Sequence, residues 1–277
     1  MKEEIFNKVS IEEVKEYWDA RPCNIRHSKS PVGTRQYFDE VEKRKYFVEP
    51  HIPEFADFKK WAGKKVLEIG CGIGTDTINF ARAGAQVSAI ELSEKSLDLI
   101  RQRAKIYGLE DRIKLYCINA EELSKIVKVE PYDLIYSFGV IHHTPSPEKL
   151  IEEIEKYTKP GSVLKIMVYY RYSWKAFWIL INYGKGAFWK LKELIAKHSE
   201  AQTGSPITYT YSKGEAKELL KNFKIIKISV DHIFPYKISD YVKHKYTKVW
   251  YFSFLPKFFF RLLEKYFGWH LLITAIK

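Results

Sequence analysis

The chain has 277 residues, 46% of them apolar and 29% charged, with a formal net charge of +12. That length and apolar content suffice for one large buried core, so a single domain spanning 1–277 with insertions is expected rather than two independent domains. The longest apolar runs, such as AFWILI, fall far short of the roughly 20 residues that span a bilayer, which excludes a membrane-spanning helix. Cys23, Cys71 and Cys117 are odd in number and lack metal-ligand spacing, so they fit a reducing compartment and mark no metal site.

The N-terminal stretch MKEEIFNKVSIEEVKEYW is acidic and amphipathic and has no apolar core of the signal-peptide kind, so a cytoplasmic location is expected. Helical patterns cover 11–19 and 38–48, and a short helix, EFADFKKW, follows Pro50 and Pro53. Strands and helices then alternate: strand 65–69, helix 75–83, strand 86–91, helix 93–107, strand 112–118, helix 121–126, strand 132–137, helix 147–158 and strand 162–169. Such alternation argues for a parallel sheet covered on both faces. Helical stretches at 173–182 and 186–197, a loop TGSPITYTY and a helix at 212–221 come next. The strand FKIIKISVDHI and a last strand, HLLITAI, are expected to pair antiparallel, leaving residues 235–268 as an insertion between them.

The run VLEIGCGIGTDTINFARAG, Val66 to Gly84, is the most informative segment. A short apolar strand ends in Gly70, Gly72 and Gly74, where backbone can approach a ligand closely, and a helix follows. A second strand delivers Glu91 seventeen residues after Gly74, the place where doubly wound folds hold the two hydroxyls of a ribose. Thr75 stands where a dinucleotide fingerprint needs its third glycine, and Glu68 and Asp76 place carboxylates where a pyrophosphate would have to sit. The loop therefore suits a cation beside adenosine, as in S-adenosylmethionine with its sulfonium and ammonium. Cys71, inside this loop, is read as a packing residue.

On these residues, 60–170 resemble a class I S-adenosylmethionine-dependent methyltransferase of the small-molecule, ubiquinone-type and type 11 branch. The resemblance implies a Rossmann-like α/β fold of seven mostly parallel strands with helices on both faces, a closing antiparallel strand and helical lid insertions. It divides the chain into an N-terminal helical cap (1–60), a cofactor-binding core (61–170), an insertion after strand five (171–214) and a basic aromatic insertion before the last strand (235–268). It implies further that the 70–74 loop, with Glu68, Thr75 and Asp76 beside it, wraps the methionine part of the cofactor. Glu91 then holds the ribose and Leu92 covers the adenine. The segment CINAEEL resembles the element whose Asp-Ala pair reads the adenine amine. Asn119 stands in for that Asp, with Ala120 and Glu121 beside it, and an amide oxygen can still accept from the amine. PYDLIYSFGVIHHTPSP matches the fourth strand and its loop, adding Phe138 to the cofactor wall, and YTKPGSVLKIMVYY matches the fifth strand. S-adenosylhomocysteine is the product so implied.

Candidates for the acceptor side follow from position. His142 and His143 come directly after strand four, at the family's catalytic rim, where an imidazole can act as base; His142 is favoured because it comes sooner. Tyr37 and Tyr46 lie nine residues apart, so a helix turns them to roughly opposite sides and at most one faces the site. Tyr46 is the catalytic candidate; Tyr37, Arg44, Tyr169 and Trp174 are acceptor-contact candidates, Arg44 for an anionic group.

Residues 165–277 hold 20 Lys plus Arg against 7 Asp plus Glu, whereas residues 1–164 hold 26 against 27. This basic, aromatic part fits a lid, an anionic or lipid surface, or an RNA or tRNA. Nucleic acid is disfavoured: the Asn/Asp-Pro-Pro-aromatic loop of base-amine methylating enzymes is absent after strand four, and no cysteine nucleophile follows Cys117. A protein acceptor is disfavoured by the missing acidic pair, and a noncatalytic cofactor-binding module is the remaining rival. The expected activity is methyl transfer to an oxygen or carbon of a small, apolar or anionic acceptor. In the stretch PKFFFRLLEKYF, Phe259, Leu262, Leu263 and Tyr266 share one helical face, which is expected to pack inward as a lid. Oligomeric state is left open.

Overall fold

A computed structural model of the chain describes residues 9–199 and 205–277. Helix α1 (Ile11–Ala20) begins with a capping box between Ser10 and Glu13, and α2 (Arg35–Val48) starts at the Thr34 cap. Pro50 leads into α3 (His51–Ala56), after which left-handed Asp57 ends the helix and Phe58–Trp61 form a 3-10 turn. The expected single helix EFADFKKW is thus two pieces, the first starting earlier.

The core follows as β1 (Lys65–Ile69), α4 (Thr75–Arg82), β2 (Gln86–Glu91), α5 (Glu94–Tyr107), β3 (Ile113–Cys117), β4 (Leu134–Phe138), α6 (Pro147–Glu155) and β5 (Val163–Tyr169). Between β3 and β4, Ala120–Lys125 form a 3-10 segment instead of the α-helix expected there. Then come α7 (Trp174–Gly184), α8 (Leu191–His198), α9 (Lys213–Leu219), β6 (Lys224–Asp231), α10 (Ile238–Tyr241), α11 (Trp250–Ser253), α12 (Lys257–Phe267) and β7 (His270–Ile276). Lys185 at φ 47 and Gly186 at φ 85 break the helix predicted from 186, so α8 starts five residues later.

The sheet order is β3-β2-β1-β4-β5-β7-β6, parallel except for β7, which runs antiparallel between β5 and β6. Strands alternate their side chains between two buried faces. Val66 and Leu134 join Phe80, Leu97 and Ile100 on the α4/α5 side, while Leu67 and Ile135 join Leu150, Ile154 and Leu220 on the α6/α9 side. The order reverses between β1 and β4, which opens a crevice at the carboxyl ends of the strands. Both insertions leave from that end, after β5 and after β6.

The inward-facing lid expected of α12 is not what forms. Among its described residues only Glu264 is buried, while Phe259, Leu262 and Tyr266 are exposed. The helix docks on β6 by its polar edge: Arg261 pairs with Asp231, and Glu264 accepts from the Ile233 amide. That attachment turns the aromatic stripe outward.

The turn after β1 requires glycine. Gly70 has φ +71, and a Cβ there would lie 2.1 Å from Val140 Cγ2. Gly70→Ala is expected to destabilise the chain by about 1–3 kcal/mol, with part of the loss recovered by adding Val140→Ala. Urea denaturation of both variants measures this, and an additive double variant would contradict the steric account.

Candidate active site

The cleft at the crevice has about 1070 Å³ of atom-free space, open mouth included. Its floor is the β1 turn, where Gly70, Cys71, Gly72, Thr75 and Asp76 face the space, with Glu68 beneath. Gly74 does not line it; at φ +75 it caps α4 against Ile100, so its role is the turn. Glu91, Leu92, Asn119 and Ala120 line it from the ends of β2 and β3, and Phe138 and His143 from the end of β4 and the loop after it. Helix α1 closes over it with Ile11, Val14 and Trp18, and Lys45 of α2 reaches in. Trp18 and Asn24 were missed in the sequence, where nothing local marks α1 or the turn after it as cleft wall; Lys45, like Arg44 a cation that could hold an anionic group, does line the space.

Glu91 ends β2 and anchors the turn. Its carboxylate accepts from the amides of Gly72 at 2.8 Å, Leu92 at 2.9 Å and Ser93 at 3.0 Å. Burial pushes its carboxyl up, opposed by those three donors. A carboxylate has about four lone-pair sites, so one remains for a hydroxyl. Asn119 spends its side-chain oxygen on the Glu121 amide, capping the 3-10 segment, and keeps a second lone pair towards the cleft. Glu121 is not a cleft residue: it accepts from Thr144 Oγ1 and the Ser146 amide, tying the β3 loop to the β4 loop. The Cys71 thiol is buried and pushed far up by burial and by Glu91, as suits a packing residue rather than a nucleophile.

The other two carboxyl groups are not bare anions. Asp76 accepts from Lys45 Nζ at 2.9 Å, Tyr46 Oη at 2.9 Å and Tyr136 Oη at 3.0 Å. Glu68 accepts from Thr77 Oγ1 at 2.6 Å, and burial together with the nearby Asp76 carboxylate pushes its pKa up to about 8. Two buried acids this close cannot both ionise freely. One is therefore neutralised by Lys45 and the other holds a proton near neutrality, which corrects the expectation of two free carboxylates.

The remaining candidates divide. Tyr46 stands behind Asp76, also accepting from Asn79 Nδ2, and does not itself line the cleft. Tyr37 packs on the opposite side of α2 with Phe38 and Val41, its hydroxyl on the Ile25 carbonyl. Arg44 is committed to Tyr241 and His244, stacking on the Tyr241 ring at 4.2 Å, so it ties α2 to the second insertion and is not free for an anion. Trp174 packs on Tyr251 and Phe252, joining the two insertions. Tyr169 is stacked between His142 at 3.8 Å and Trp269 at 4.3 Å. His142 is fully buried with neither ring nitrogen bonded, and burial holds it neutral, well below the ordinary range. His143 lines the cleft, with Nδ1 2.6 Å from the Ile207 carbonyl. That contact requires Nδ1–H, leaving Nε2 as the acceptor. The geometry thus reverses the order of the two histidines read from chain position.

Glu68 gives a pH signature. Its folded pKa of about 8 exceeds the ordinary 4.5, so the folded chain keeps a proton that the unfolded chain loses. The stability contributed by that proton is fully present below about 4.5 and is lost as pH rises through about 8. Thermal melts of the cofactor-free chain are expected to fall from about pH 4.5 to about pH 8 and to level off above it, and Glu68→Gln is expected to flatten the fall. Parallel profiles for the two chains would refute this.

The comparisons with known proteins agree with the geometry. The sequence model of the family described as a methyltransferase domain matches residues 60–226. The ubiquinone biosynthesis O-methyltransferase of Bordetella parapertussis is 34% identical over 102 residues, 36% of this chain and 40% of that protein. The chain thus matches less than half the length of this relative. Magnesium protoporphyrin IX methyltransferase from Synechocystis PCC 6803, with bound S-adenosylhomocysteine, superposes with a TM-score of 0.59 at 14% identity, covering 97% of this chain and 100% of that one. Geranyl diphosphate C-methyltransferase from Streptomyces coelicolor A3(2) gives 0.58 at 16%, covering 96% and 97%. At such identities the structures speak for the fold, and the family match, extending over more than half of the chain, speaks for descent. The chain belongs to the methyltransferase domain family, and its fold is that of the class I S-adenosylmethionine-dependent methyltransferases.

Proposed function

We propose that the chain transfers the methyl group of S-adenosylmethionine to an oxygen or carbon of a small, apolar or anionic acceptor. The observation that carries the reading is Glu91, held by three backbone amides beside the glycine turn in a cleft that Phe138 and His143 also line. Glu91 and Asn119 take the adenosine end. The buried Glu68–Asp76–Lys45 group receives the methionine end, where the cofactor ammonium would draw the proton off Glu68. The sulfonium supplies an activated leaving group, so the chain's task is alignment of acceptor, methyl and sulfur in a water-poor site, a contribution of about 7–11 kcal/mol at best. His143 is the residue positioned to take a proton where the acceptor loses one. Ubiquinone-type relatives act through O-methylation by name, which favours oxygen as the target atom.

Transfer of labelled methyl from S-adenosylmethionine to candidate phenols, enols and carboxylates tests the reaction. Calorimetry tests the site: Glu91→Ala is expected to weaken S-adenosylhomocysteine binding by about 1–3 kcal/mol, while His143→Ala is expected to lower turnover with little change in that affinity. Heat from NAD but none from S-adenosylhomocysteine would defeat the reading.

A second reading concerns where the acceptor resides. The insertion at 235–268 carries seven Lys plus Arg against Asp240 and Glu264. It exposes Trp250, Phe254 at 83%, Phe258 at 73% and Tyr266. Aromatic side chains interleaved with lysines complement an anionic bilayer surface, which favours a lipid-like acceptor met at a membrane. Among the described residues no helix is long and apolar enough to cross one. The chain is expected to sediment with vesicles containing phosphatidylglycerol but not with phosphatidylcholine alone, and Phe254→Ser/Phe258→Ser is expected to release it. Failure to pellet removes the reading.

A further inference from the structure

Beside the cofactor cleft, at the same edge of the sheet, four residues from distant parts of the chain converge where β6 ends and β7 begins. Glu49 follows α2, His51 opens α3, His232 follows β6 and His270 opens β7. One ligand atom each of Glu49, His232 and His270 lies within 4.8 Å of the others. His270 Nε2 is 3.7 Å from Glu49 Oε1. The His232 and His270 rings stack with centroids 4.6 Å apart. His232 has φ 71, a conformation that non-glycine residues rarely adopt.

We propose that Glu49, His232 and His270 form a binding site for a divalent transition metal of the zinc class, with His51 as its positioning residue. Ligands bonded at about 2.0–2.2 Å in tetrahedral geometry stand about 3.3–3.6 Å apart, so the Glu49–His270 separation is close to one edge of such a site. His232 has to close by a further ångström or so. Two imidazoles and a carboxylate suit zinc, iron or cobalt rather than magnesium, which prefers oxygen ligands.

His51 gives the site its second shell. His51 Nε2 lies 2.9 Å from His270 Nδ1. With Nδ1–H donating to His51, the Nε2 lone pair of His270 is directed at Glu49, the tautomer that ligation requires. The charges facing the rings from other elements are Lys175 on α7, Lys45 on α2, and Arg261 on α12 paired with Asp231 and Glu264. Glu49 supplies the anionic ligand against them. Phe138 separates this cluster from the cofactor cleft, its ring 5.5 Å from His270 and 6.0 Å from His51. The metal would therefore sit on the acceptor side, where a cation attracts an anionic oxygen. Metal binding itself does not depend on the methyl-transfer reading.

The experiment uses the full chain stripped by a chelator. Calorimetric titration with Zn²⁺ is expected to show one equivalent bound, and Co²⁺ in its place to give visible bands of a four- or five-coordinate site. His51→Gln is expected to weaken uptake by about 10- to 100-fold and to shift the Co²⁺ bands. Loss of a ligand, in His270→Ala or Glu49→Gln, is expected to weaken it more, whereas His198→Ala on α8 leaves it unchanged. His270 is buried in β7 and its variant can fail to fold, so Glu49→Gln, checked by circular dichroism, keeps the test decisive. No uptake by the unsubstituted chain, or uptake unchanged in both Glu49→Gln and His51→Gln, overturns the proposal and leaves an adventitious ion only.

Discussion

The buried Asp76 carboxylate is the constraint on which the cofactor cleft depends. It sits in the first turn of α4 and collects Lys45 and Tyr46 from α2 and Tyr136 from β4. One anion thereby fixes the N-terminal cap, the glycine turn and the central strand relative to one another. A buried charge left without its partner costs about 3–5 kcal/mol, so the three donors hold the cap on the sheet as firmly as apolar packing does. Arg103 adds to the same junction, fully buried and reaching Thr75 Oγ1 and Glu42.

From this junction the division of labour across the sheet follows. Beyond β1 and β2 the carboxyl edge of the sheet carries the glycine turn, with Glu91 clamped by backbone amides and small residues beneath. Beyond β5, β7 and β6 it is built from imidazoles and aromatic rings. Phe138, at the end of β4, touches both halves. The insertions serve the second half: α7 and α8 pack on Met167, Tyr169 and Trp269, and Arg44 with His27 ties α2 to Tyr241 of the other insertion. Electrostatics differ as well. The half around the glycine turn holds buried acids, with Glu68 pushed up to about 8, and the far half holds neutral rings facing lysines.

The glycine turn, the spaced acid and the alternation of strands and helices were legible because they are local. Gly70 needs a positive φ whatever surrounds it, and Glu91 falls at a fixed distance along one strand. The last strand was legible for the same reason, as an uninterrupted apolar run. The misjudged features were those in which one face of a helix chooses its partner. Periodicity shows that Phe259, Leu262 and Tyr266 share a side of α12, but Arg261 and Glu264 decide which side meets the sheet. Likewise, position after β4 nominated His142 and His143 together, while the loop at 205–211 decides which ring sees the cleft.

The sequence by itself determined the fold class, the glycine turn after β1 and the place of the acid that ends β2, because these rest on backbone conformation and on strand length. Tertiary structure alone decided the raised pKa of Glu68, the pairing of Asp76 with Lys45, the burial of His142, the outward face of α12 and the meeting of Glu49, His51, His232 and His270. Each of these depends on groups more than twenty residues apart arriving at one point, and burial there changes which charge or tautomer is stable. A one-dimensional pattern carries no measure of that proximity.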